Sequence, residues 1–444
     1  MELGISMKAI DVVELIDTQL KEYSLHVIES RAIPFIADGF KPVHRRILWT
    51  MINYFKNEKV KVVKVAGTTL SIHPHGSASV ENACSLMAQR FCGATNINYL
   101  DGYGAFGSKI YGPGNAIGAA RYVSVKLSDN FTKIMSNDTD LLEMRPSYDD
   151  AEQEPISFLP LVPTILLNPV QGIAVGFACN ILPRKLSDVI HCQLAHLEGK
   201  GFHEPKIYYE GYKGEIKKIE DNVWETKGVF SRSGRKITIT ELPIGSTREG
   251  YMRVLDALEE KEIISSYTDD CKDDFAFTAN LRGDLTDEEI YEKFKLISNL
   301  TENLTVIGFN GKVQKMTVSE IIKQFTDFRF SVYIKRYKKQ FNENKEEFEF
   351  KRDLLKVIVK GLFKKFPDLP KDEIKKLLLE NEILEKNISR IIQTPIYKFG
   401  KDEVDDLKKQ LAELKSFLEN LVKLCKSEDL RKVEFVKELK EIKI

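Results

Sequence analysis

The pair Arg121-Tyr122 follows a glycine-rich segment and offers a nucleophile beside a cation. A tyrosine phenolate that attacks a backbone phosphodiester exchanges one ester bond for another of similar energy, so the break is reversible without consumption of a nucleotide. A free phenol has a pKa near ~10, so the attack requires cationic neighbours, a base or a metal ion. Arg121 can hydrogen-bond the phosphate as charge develops on it. Most of the 16 tyrosines must serve packing, so the pair alone does not identify a nucleophile.

The distribution of charge predicts where a polyanion would bind. The chain has no net charge, but residues 31–135 hold thirteen basic and five acidic side chains, whereas residues 1–30 hold two basic and six acidic ones. Three of the seven histidines, His44, His73 and His75, also lie in residues 31–135. A compact basic segment in a neutral chain is typical of a nucleic-acid site, although a fluctuation in solvated surface charge would give the same pattern.

One glycine motif and the cysteines invite other interpretations. The spacing Gly102-x-Gly104-x-x-Gly107 matches a dinucleotide-binding fingerprint, but no strand-helix-strand unit surrounds it and the residues that follow do not open a helix. We therefore interpret these glycines as positions where the backbone approaches a bound nucleic acid. No P-loop is present. The six cysteines are scattered without a Cys-x-x-Cys pair, which predicts reduced thiols and no zinc site.

The bulk composition predicts a soluble protein of several domains. A chain of 444 residues is too long for one ordinary core, so two to four domains are expected. An apolar content of 43% and a charged content of 30% are typical of soluble globular proteins. No apolar stretch approaches the length of a membrane span, and the N-terminus lacks the pattern of a secretory signal. We predict a cytoplasmic protein without a membrane partner.

Hydrophobic periodicity predicts three helices near the N-terminus. Residues 8–28 carry Ile10, Val13, Ile16, Leu20 and Tyr23 at helical spacing. A second helix is expected to begin at Pro42, and a third is expected over residues 77–91, after a His-Pro-His-Gly turn at residues 73–76. Short helices, a turn and a basic bias together predict a helix-turn-helix domain.

The remainder of the chain changes character twice. From about residue 145 to 315, short β-like runs at residues 236–242 and 304–309 alternate with helical stretches such as 249–261, which predicts an α+β domain. The C-terminal third is helical and strongly charged. Apolar residues from Val404 to Cys425 alternate at spacings of three and four, which predicts a coiled-coil seam. Prolines 367, 370 and 395 lie between the long helices, so we expect two antiparallel arms with a small globular tip.

Four segments of the chain resemble the breakage-reunion subunits of type IIA DNA topoisomerases, the family of DNA gyrase and topoisomerase IV. They occur in the order and at the approximate spacing of that family, and the tower-like segments and short length look most like the medium subunits of T-even-type bacteriophage topoisomerases. The segments are Arg31-Ala-Ile-Pro34 with Asp38-Gly-Phe-Lys-Pro-Val-His-Arg-Arg-Ile47; His73-Pro-His-Gly76 with Met87-Ala-Gln89; Asp101-Gly-Tyr-Gly-Ala-Phe-Gly107 with Ala120-Arg-Tyr122; and Gly172-Ile-Ala-Val-Gly176.

The resemblance implies a multidomain α+β fold. It contains a winged-helix DNA-gate domain with the tyrosine, an α+β tower domain, and antiparallel coiled-coil arms that end in a small helical C-gate tip. The expected limits are residues 1–30 for an N-terminal helical arm, 31–144 for the winged-helix domain, 145–316 for the tower, 317–360 for one coiled-coil arm, 361–400 for the tip, and 401–444 for the returning arm and the C-terminus.

By the same resemblance, Tyr122 is the nucleophile that becomes covalently joined to DNA, and Arg121 assists it. Arg31 and His75 complete the catalytic site around the scissile phosphate. The residues expected to hold the flanking DNA backbone are Lys41, His44, Arg45, Arg46 and His73. Alternatives for these side chains stay open, because histidines in a turn could be caps and Arg45 and Arg46 could solvate a helix face.

Ile173 stands between Gly172 and Gly176 and is implied to wedge between base pairs and bend the duplex. Its alternative is a buried position in a strand. The acidic clusters at Asp149–Glu154 and Asp269–Asp274 lack the Asp-x-Asp arrangement of the family's Mg²⁺-binding Toprim domain. We therefore interpret them as solvated loops and predict no metal ligands in this chain.

The implied function is DNA cleavage and religation within an ATP-dependent type II DNA topoisomerase, through a transient 5′-phosphotyrosine. Mg²⁺ and ATP are expected on one or more partner subunits that carry the Toprim and ATPase domains. The chain is expected to bind double-stranded DNA as a homodimer in the cytoplasm, the host's if a phage encodes it. The alternatives are a tyrosine recombinase or nicking enzyme, and a non-cleaving winged-helix architectural dimer.

Overall fold

The computed structural model describes residues 12–56, 58–135, 138–399 and 401–442. The chain divides into two compact units: unit 1 extends to Arg329 and includes the segment from Leu439 onward, and unit 2 is Phe330–Glu438. The division falls inside a long helix. It therefore coincides with none of the expected domain limits, and the finer partition stays a prediction.

The N-terminal segment is helical, as its periodicity predicts. It consists of α1 (Val12–Leu15), a π-helical turn (Ile16–Leu20), α2 (Lys21–Val27) and a second π-helical turn (Ile28–Ala32). Residues 8–11 of the expected helix, including Ile10, lie outside the described residues. The apolar stripe is exposed in the single chain, because Val13, Ile16, Leu20 and Tyr23 are each about half exposed or more.

Three helices and a three-stranded sheet follow. The helices are α3 (Pro42–Thr50), continued by a π-helical turn (Met51–Phe55), α4 (Val62–Thr69) and α5 (Ser77–Met87). The strands β1 (Val60–Lys61), β2 (Leu100–Tyr103) and β3 (Ser124–Leu127) form an antiparallel sheet in the order β1-β3-β2. Pro42 begins α3, as predicted. The helix expected over residues 77–91 ends at Met87, four residues earlier than predicted.

The interior of this region is apolar and closely packed. The helices α3, α4 and α5 contact one another, and α5 contacts β2. Their inward side chains are almost fully buried: Ile47, Leu48, Val62, Val65, Val80, Cys84, Leu100 and Val125. The apolar residues at helical spacing on α3 and α5 therefore form a core, which fixes the sheet that carries the loop between β2 and β3.

Further short elements complete the first part of unit 1. They are α6 (Asp129–Met135), the hairpin of β4 (Met144–Pro146) and β5 (Gln153–Pro155), a 3-10 turn (Thr164–Leu166), the hairpin of β6 (Val170–Ile173) and β7 (Ala178–Ile181), and α7 (Leu186–Leu197). Another 3-10 turn covers Thr139–Leu141. Both hairpins lie against the segments that precede α4, because β5 contacts α3 and β6 contacts the turn Ile28–Ala32.

The expected α+β region is present in unit 1. Its strands are β8 (Glu215–Glu220), β9 (Val223–Lys227), β10 (Val229–Ser233), β11 (Lys236–Glu241), β12 (Ile264–Asp269), β13 (Phe277–Leu281), β14 (Ile297–Thr301), β15 (Thr305–Ile307) and β16 (Val313–Lys315). They form sheets β10-β11-β13-β12, β14-β9-β8 and β15-β16. The predicted strands at 236–242 and 304–309 correspond to β11 and β15, and the predicted helix at 249–261 corresponds to α8 (Arg248–Glu260). Buried side chains of β11, β12, β13 and α8 form one apolar core, and the capped helix α9 (Asp287–Lys293) packs its Ile290 into it.

Unit 2 is helical. The helix α10 (Val318–Val359) enters it from unit 1, and a 3-10 turn (Leu362–Asp368), α11 (Lys371–Glu380), α12 (Glu385–Ile392) and a 3-10 turn (Ile396–Phe399) follow. Two helices return, α13 (Lys401–Lys426) and α14 (Glu428–Glu441). The ammonium of Lys351 donates to Gln410 at 2.7 Å, and the ring of Tyr333 lies 5.1 Å from that of Phe435, so α13 and α14 run antiparallel to α10.

The segment between α3 and the preceding turn requires a glycine at position 39. Gly39 has φ +66°, and a Cβ there would lie 2.4 Å from the backbone nitrogen of Ile165. A backbone atom cannot rotate away, and the hydroxyl of Thr164 holds it in place by donating to the carbonyl of Asp38 at 2.6 Å. The left-handed backbone and the close approach both exclude a side chain.

We expect Gly39→Ala to lower the free energy of unfolding by about 2–5 kcal/mol, from the left-handed strain and the forced shift of packed backbone. Thermal unfolding followed by circular dichroism measures it. Gly67→Ala is the matched control, because Gly67 lies in α4 and a Cβ there would meet no other atom within 4 Å. That control should stabilise the protein by about 0.5–1 kcal/mol. Equal midpoints for the two variants would contradict the assignment.

Candidate active site and nucleic-acid interface

Tyr122 lies on the surface, in the loop between β2 and β3. Its side chain is 71% exposed, and the guanidinium carbon of Arg121 lies 4.7 Å from the centre of its ring. A turn positions the residue, because the backbone nitrogen of Tyr122 donates to the carbonyl of Ala119 at 2.8 Å. An exposed phenol held beside a guanidinium can accept a phosphate group, since the cation stabilises charge on the phosphate.

Backbone hydrogen bonds fix the end of this loop to α4. The nitrogens of Val62 and Val63, in the first turn of α4, donate to the carbonyls of Val123 and Ala120, each at 3.1 Å. The strand β1 also pairs with β3, with Val60 opposite Val125. The two residues on either side of Arg121-Tyr122 are thus bonded to α4, whose Val62 and Val65 lie in the core, and this restricts where the phenol can lie.

Gln89 fixes the start of the loop, although no role was predicted for it. Its side chain is fully buried, its amide nitrogen donates to the carbonyl of Phe106 at 2.8 Å, and its amide oxygen accepts from the nitrogen of Gly114 at 3.1 Å. Gly107 has φ +76°, and a Cβ there would lie 2.3 Å from the carbonyl oxygen of Asn115. The only sequence signal for Gln89 is its place in the motif that follows the His-Pro-His-Gly turn.

Arg31 and His75 are in contact. The Nη2 of Arg31 lies 3.0 Å from Nδ1 of His75, and its Nε lies 3.3 Å from Nε2 of the same ring. Burial and, next, the charge of Arg31 lower the pKa of His75 below its usual range. Arg31 forms no ion pair among the described residues, so its charge is available to an anion. Arg31 and His75 thus lie together, and their role around the scissile phosphate stays a prediction.

His73 and Arg46 lie behind His75, in the interior. His73 is 4% exposed and Arg46 is 8% exposed, and Nη1 of Arg46 lies 3.0 Å from Nδ1 of His73. Burial, followed by the charge of Arg46, lowers the pKa of His73 to about 4. The rings of His73 and His75 meet edge to face with centroids 4.8 Å apart. These buried positions leave little of His73 and Arg46 exposed, and their contact with the DNA backbone stays a prediction.

Arg45 is also interior, and its role at the DNA backbone stays a prediction. Its Nε and Nη2 donate to the two carboxylate oxygens of Asp38 at 2.6 and 2.8 Å, and Nη2 also donates to the carbonyl of Phe40. The side chains of Arg45 and Asp38 are 6% and 0% exposed. A buried carboxylate requires a cationic partner, and the guanidinium of Arg45 is the partner of Asp38.

Lys41 and His44 occupy intermediate positions. The ammonium of Lys41 donates to the carbonyl of Gln171 on β6, and burial lowers the pKa of Lys41. The ring of His44 meets Phe40 edge to face at 6.5 Å, and burial, followed by the charges of Lys41 and Arg45, lowers the pKa of His44 to about 3. His44 is therefore neutral at ordinary pH and offers a phosphate a hydrogen bond rather than a charge.

Ile173 stands at the tip of the β6–β7 hairpin and is 88% exposed, so its alternative as a buried strand residue is wrong. A Cβ at Gly172 would lie 2.0 Å from the carbonyl oxygen of Ala32, so only glycine allows the hairpin to approach the preceding turn this closely. Val175 and Phe177 on the same tip are 46% and 44% exposed. An exposed apolar tip of this kind fits a wedge between stacked bases.

Exposed lysines beside Tyr122 were not singled out in the sequence. The ammonium of Lys59 lies 4.4 Å from the centre of the Tyr103 ring, and that of Lys64 lies 5.3 Å from the centre of the Phe55 ring. Lys61 pairs across the sheet with Ser124, two residues after the tyrosine. All three lysines are exposed and form no ion pair in the described part of the chain. The basic bias of residues 31–135 is the signal that includes them.

The acidic clusters are not simply solvated loops. Glu154 is 3% exposed and is paired with Arg46 and Arg145, and Asp269 pairs with Arg248 at 2.6 Å. Asp274 pairs with Lys109 at 3.1 Å and with Lys213 at 2.8 Å. The interpretation as solvated loops is wrong for Glu154 and Asp269, whose side chains are 4% and 10% exposed, whereas Asp274 is 52% exposed and solvated, as predicted. Within residues 12–56, 58–135, 138–399 and 401–442, no group of three potential ligand side chains could hold a metal ion.

The structure thus brings the candidate residues together in two groups. Arg121 and Tyr122 form one, and Arg31, His75, His73 and Arg46 form the other. Among the residues described, no hydrogen bond, ion pair or ring contact joins the two groups. Likewise, none of the described helices is both long and apolar enough to span a membrane.

The depressed pKa values predict acid sensitivity. His44 and His73 titrate at about 3 and about 4 in the folded chain, below the ~6.5 of an unfolded histidine, so the unfolded state binds more protons between these values. The free energy of unfolding should therefore fall as the pH decreases from about 6.5 to about 4. The variant His44→Asn/His73→Asn should show a flatter decrease in denaturant titrations across this range, and a variant of the exposed His191 should not. If the wild type, the double variant and the His191 variant all lose stability with pH in the same way, the conclusion that His44 and His73 are uncharged in the folded chain is wrong.

Comparisons with known proteins agree with the motifs. The family model for the A subunit of DNA gyrase/topoisomerase IV matches residues 31–440. The DNA topoisomerase medium subunit of Enterobacteria phage T4 is 31% identical, over 98% of this chain and 99% of that protein. The mitochondrial DNA topoisomerase 2 of Dictyostelium discoideum is 29% identical over 93% of this chain, which spans only 34% of that protein.

The structural comparison agrees as well. The DNA-binding, cleavage and re-ligation domain of Plasmodium falciparum topoisomerase II superposes with a TM-score of 0.84 and 26% identity, over 96% of this chain and 64% of that one. The resemblance stated from the four motifs is confirmed, and the mixed α+β class with it. The chain belongs to the family formed by the A subunits of DNA gyrase and topoisomerase IV, among the type II DNA topoisomerases.

Proposed function

We propose that this chain is the DNA-cleaving and rejoining subunit of an ATP-dependent type II DNA topoisomerase that relaxes and decatenates DNA. The hydroxyl oxygen of Tyr122 attacks a backbone phosphorus, the bond from phosphorus to the 3′ oxygen breaks, and the phenolic proton passes to that oxygen. The product is a 5′-phosphotyrosine and a free 3′ hydroxyl, and the reverse attack rejoins the strand. The observation that carries the proposal is the exposed phenol of Tyr122 beside Arg121 on a firmly bonded loop.

The cations divide the work by their exposure. Arg121 and Arg31 can bind the scissile phosphate, because both guanidiniums are free of carboxylates among the described residues. His75 adds a hydrogen bond beside Arg31. Lys41 and His44 are half-buried and can contact the neighbouring backbone at their outer edges. We assign the buried Arg45, Arg46 and His73 an indirect role, through the residues that they hold in place.

The DNA gate has the connectivity of a winged helix. The order α3, β1, α4, α5, β2, loop, β3, with the sheet order β1-β3-β2, matches that fold, and Tyr122 lies in its wing. The exposed lysines Lys59, Lys61 and Lys64 extend the basic surface around the wing. Ile173 bends the duplex from the neighbouring hairpin. The α+β sheets would be the tower, and α10 with α13 and α14 the coiled-coil arm.

Mg²⁺ and ATP are placed on the partner subunits, in Toprim and ATPase domains. In the two acidic clusters, Glu154, Asp269 and Asp274 form ion pairs with arginine or lysine side chains. These three carboxylates therefore do not fit a magnesium site in this chain. The complex would act in the cytoplasm, the host's if the gene belongs to a phage.

A non-cleaving architectural dimer is the second candidate. The exposed tip at Ile173 favours it independently, because a wedge that bends DNA requires no nucleophile. The two candidates differ at a single atom, the hydroxyl oxygen of Tyr122.

Tyr122→Phe should therefore abolish DNA cleavage and leave DNA affinity within about twofold, because the cations that dominate binding are unchanged. The holoenzyme is reconstituted with partner subunits, and detergent is added during reaction to trap protein on 5′ ends. Tyr111→Phe is the matched control, since Tyr111 is an exposed tyrosine of the same loop and should cleave normally. Full cleavage by Tyr122→Phe would eliminate the proposed nucleophile.

We predict further that the purified chain forms a homodimer through unit 2 and performs no strand passage without its partners. The predicted seam from Val404 to Cys425 cannot be the dimer surface by itself, because Leu407 and Val404 pack against the core formed with the end of α10. The exposed apolar residues of the tip remain as candidates, with Tyr397 70% and Leu379 43% exposed.

Sedimentation at micromolar concentration should give a dimer, and Tyr397→Asp should shift it toward monomer. Tyr148→Asp, at an exposed tyrosine of unit 1, is the control and should leave the dimer intact. A monomeric wild-type chain, or Mg²⁺- and ATP-dependent strand passage by the single chain, would contradict this prediction.

A further inference from the structure

We propose that Glu154 is a positioning residue for DNA cleavage, which holds His75 in place through Arg46 and His73. The inference rests on the proposed function, in which His75 binds the scissile phosphate. The sequence placed Glu154 in a solvated loop, whereas the structure buries it at the base of the Arg31–His75 pair.

The first link joins Glu154 to Arg46. The Nε and Nη2 of Arg46 donate to the two carboxylate oxygens of Glu154 at 2.5 and 2.9 Å, with side-chain exposures of 9% and 4%. Arg145 donates to the same carboxylate at 3.0 Å from its more exposed position. A bidentate pair fixes both the distance and the plane of a guanidinium, so Glu154 sets the orientation of Arg46.

The second link joins Arg46 to His73. The nitrogen of Arg46 that Glu154 does not use, Nη1, lies 3.0 Å from Nδ1 of His73. A guanidinium only donates, so Nδ1 of His73 must be the acceptor and the ring proton lies on Nε2. The tautomer and the plane of His73 are therefore fixed by Arg46.

The third link joins His73 to the exposed site. The rings of His73 and His75 meet edge to face, with centroids 4.8 Å apart and an angle of 82° between their planes. The backbone nitrogen of His75 also donates to the backbone carbonyl of His73 at 2.9 Å. On its other side, His75 faces the guanidinium of Arg31 at 3.0 Å. His75 is thus held between a fixed ring and the cation that binds the phosphate.

The strand that carries Glu154 is itself fastened to α3. The indole nitrogen of Trp49 donates to the carbonyl of Gln153 at 3.2 Å, and the hydroxyl of Tyr54 donates to the carboxylate of Glu152 at 2.6 Å. These two bonds hold the backbone just before Glu154, and so the root of its side chain, beside Arg46. A loss of its charge would leave Arg46 as an unpaired cation in the interior, and such a cation moves toward water.

A second buried pair supplies the control. Arg184 and Glu302 form a bidentate ion pair with side-chain exposures of 2% and 4%, and the remaining contact of Arg184 is to the carbonyl of Leu182. This pair resembles the first in burial and geometry, but within the described part of the chain its side chains form no hydrogen bond or ion pair with a candidate site residue. A purely structural role of Glu154 would therefore give the same phenotype as Glu302.

The test uses the holoenzyme with Glu154→Gln and, as matched control, Glu302→Gln. Both variants should lower the thermal unfolding midpoint. Only Glu154→Gln should slow single-turnover DNA cleavage, by about 10- to 100-fold, because a small misplacement of a binding group has that effect on rate. The affinity for DNA, measured in a Tyr122→Phe background, should change less than twofold. Glu154→Asp, which keeps the charge, should recover part of the rate.

Equal cleavage rates for Glu154→Gln and Glu302→Gln would overturn the proposal, as would a loss of affinity that matches the loss of rate. If Glu154→Gln does not fold, Glu154→Asp decides: a wild-type cleavage rate from it would show that the position of the carboxylate does not matter. Failure of the proposed function is seen separately, as cleavage that persists in Tyr122→Phe alone.

Discussion

The site depends on two ion pairs between the interior and consecutive residues of α3. Arg45 reaches Asp38, whose carboxylate also accepts the backbone nitrogens of Phe40 and Phe158, and Arg46 reaches Glu154. Removing four charges from water is costly, and only bidentate geometry with further hydrogen bonds compensates for it. Such pairs add little net stability but permit few arrangements. They therefore fix α3 against the segments before and after it, and with α3 the turn that carries His73 and His75.

This division of roles explains the distribution of charge over the basic segment. Arg45 and Arg46 are neutralised by buried carboxylates. Arg31, Arg121 and the lysines of β1 and α4 remain available at the surface. A polyanion would thus meet exposed charge at Arg121, Arg31 and the lysines, while the ion-paired side chains Arg45 and Arg46 lie in the interior. The arrangement keeps the attractive field at the surface, where counterions are released, and the orienting contacts in the interior, where the low dielectric strengthens them.

The positions of several helices and strands could be predicted from the sequence, because hydrophobic periodicity and the order of motifs are local properties of the chain. Pro42, the strands at 236–242 and 304–309, and the helix at 249–261 were recognisable in that way. The burial of Arg46 was not, since its partner Glu154 lies 108 residues further along the chain.

The loop of Tyr122 also contacts the four-stranded sheet β10-β11-β13-β12 and its helix α8, which follow more than a hundred residues later in unit 1. Ile110 is buried in the core of β11, β12 and β13, and its carbonyl accepts the first backbone nitrogen of α8, from Arg248, at 2.7 Å. The neighbouring Lys109 pairs with the fully buried Glu241 at 2.7 Å. Gln89 and α4 also hydrogen-bond the loop, so it is held at both of its ends and in its middle. If Tyr122 is the proposed nucleophile, this restraint would favour religation, because rejoining requires the phenol ester and the leaving hydroxyl to stay in one geometry.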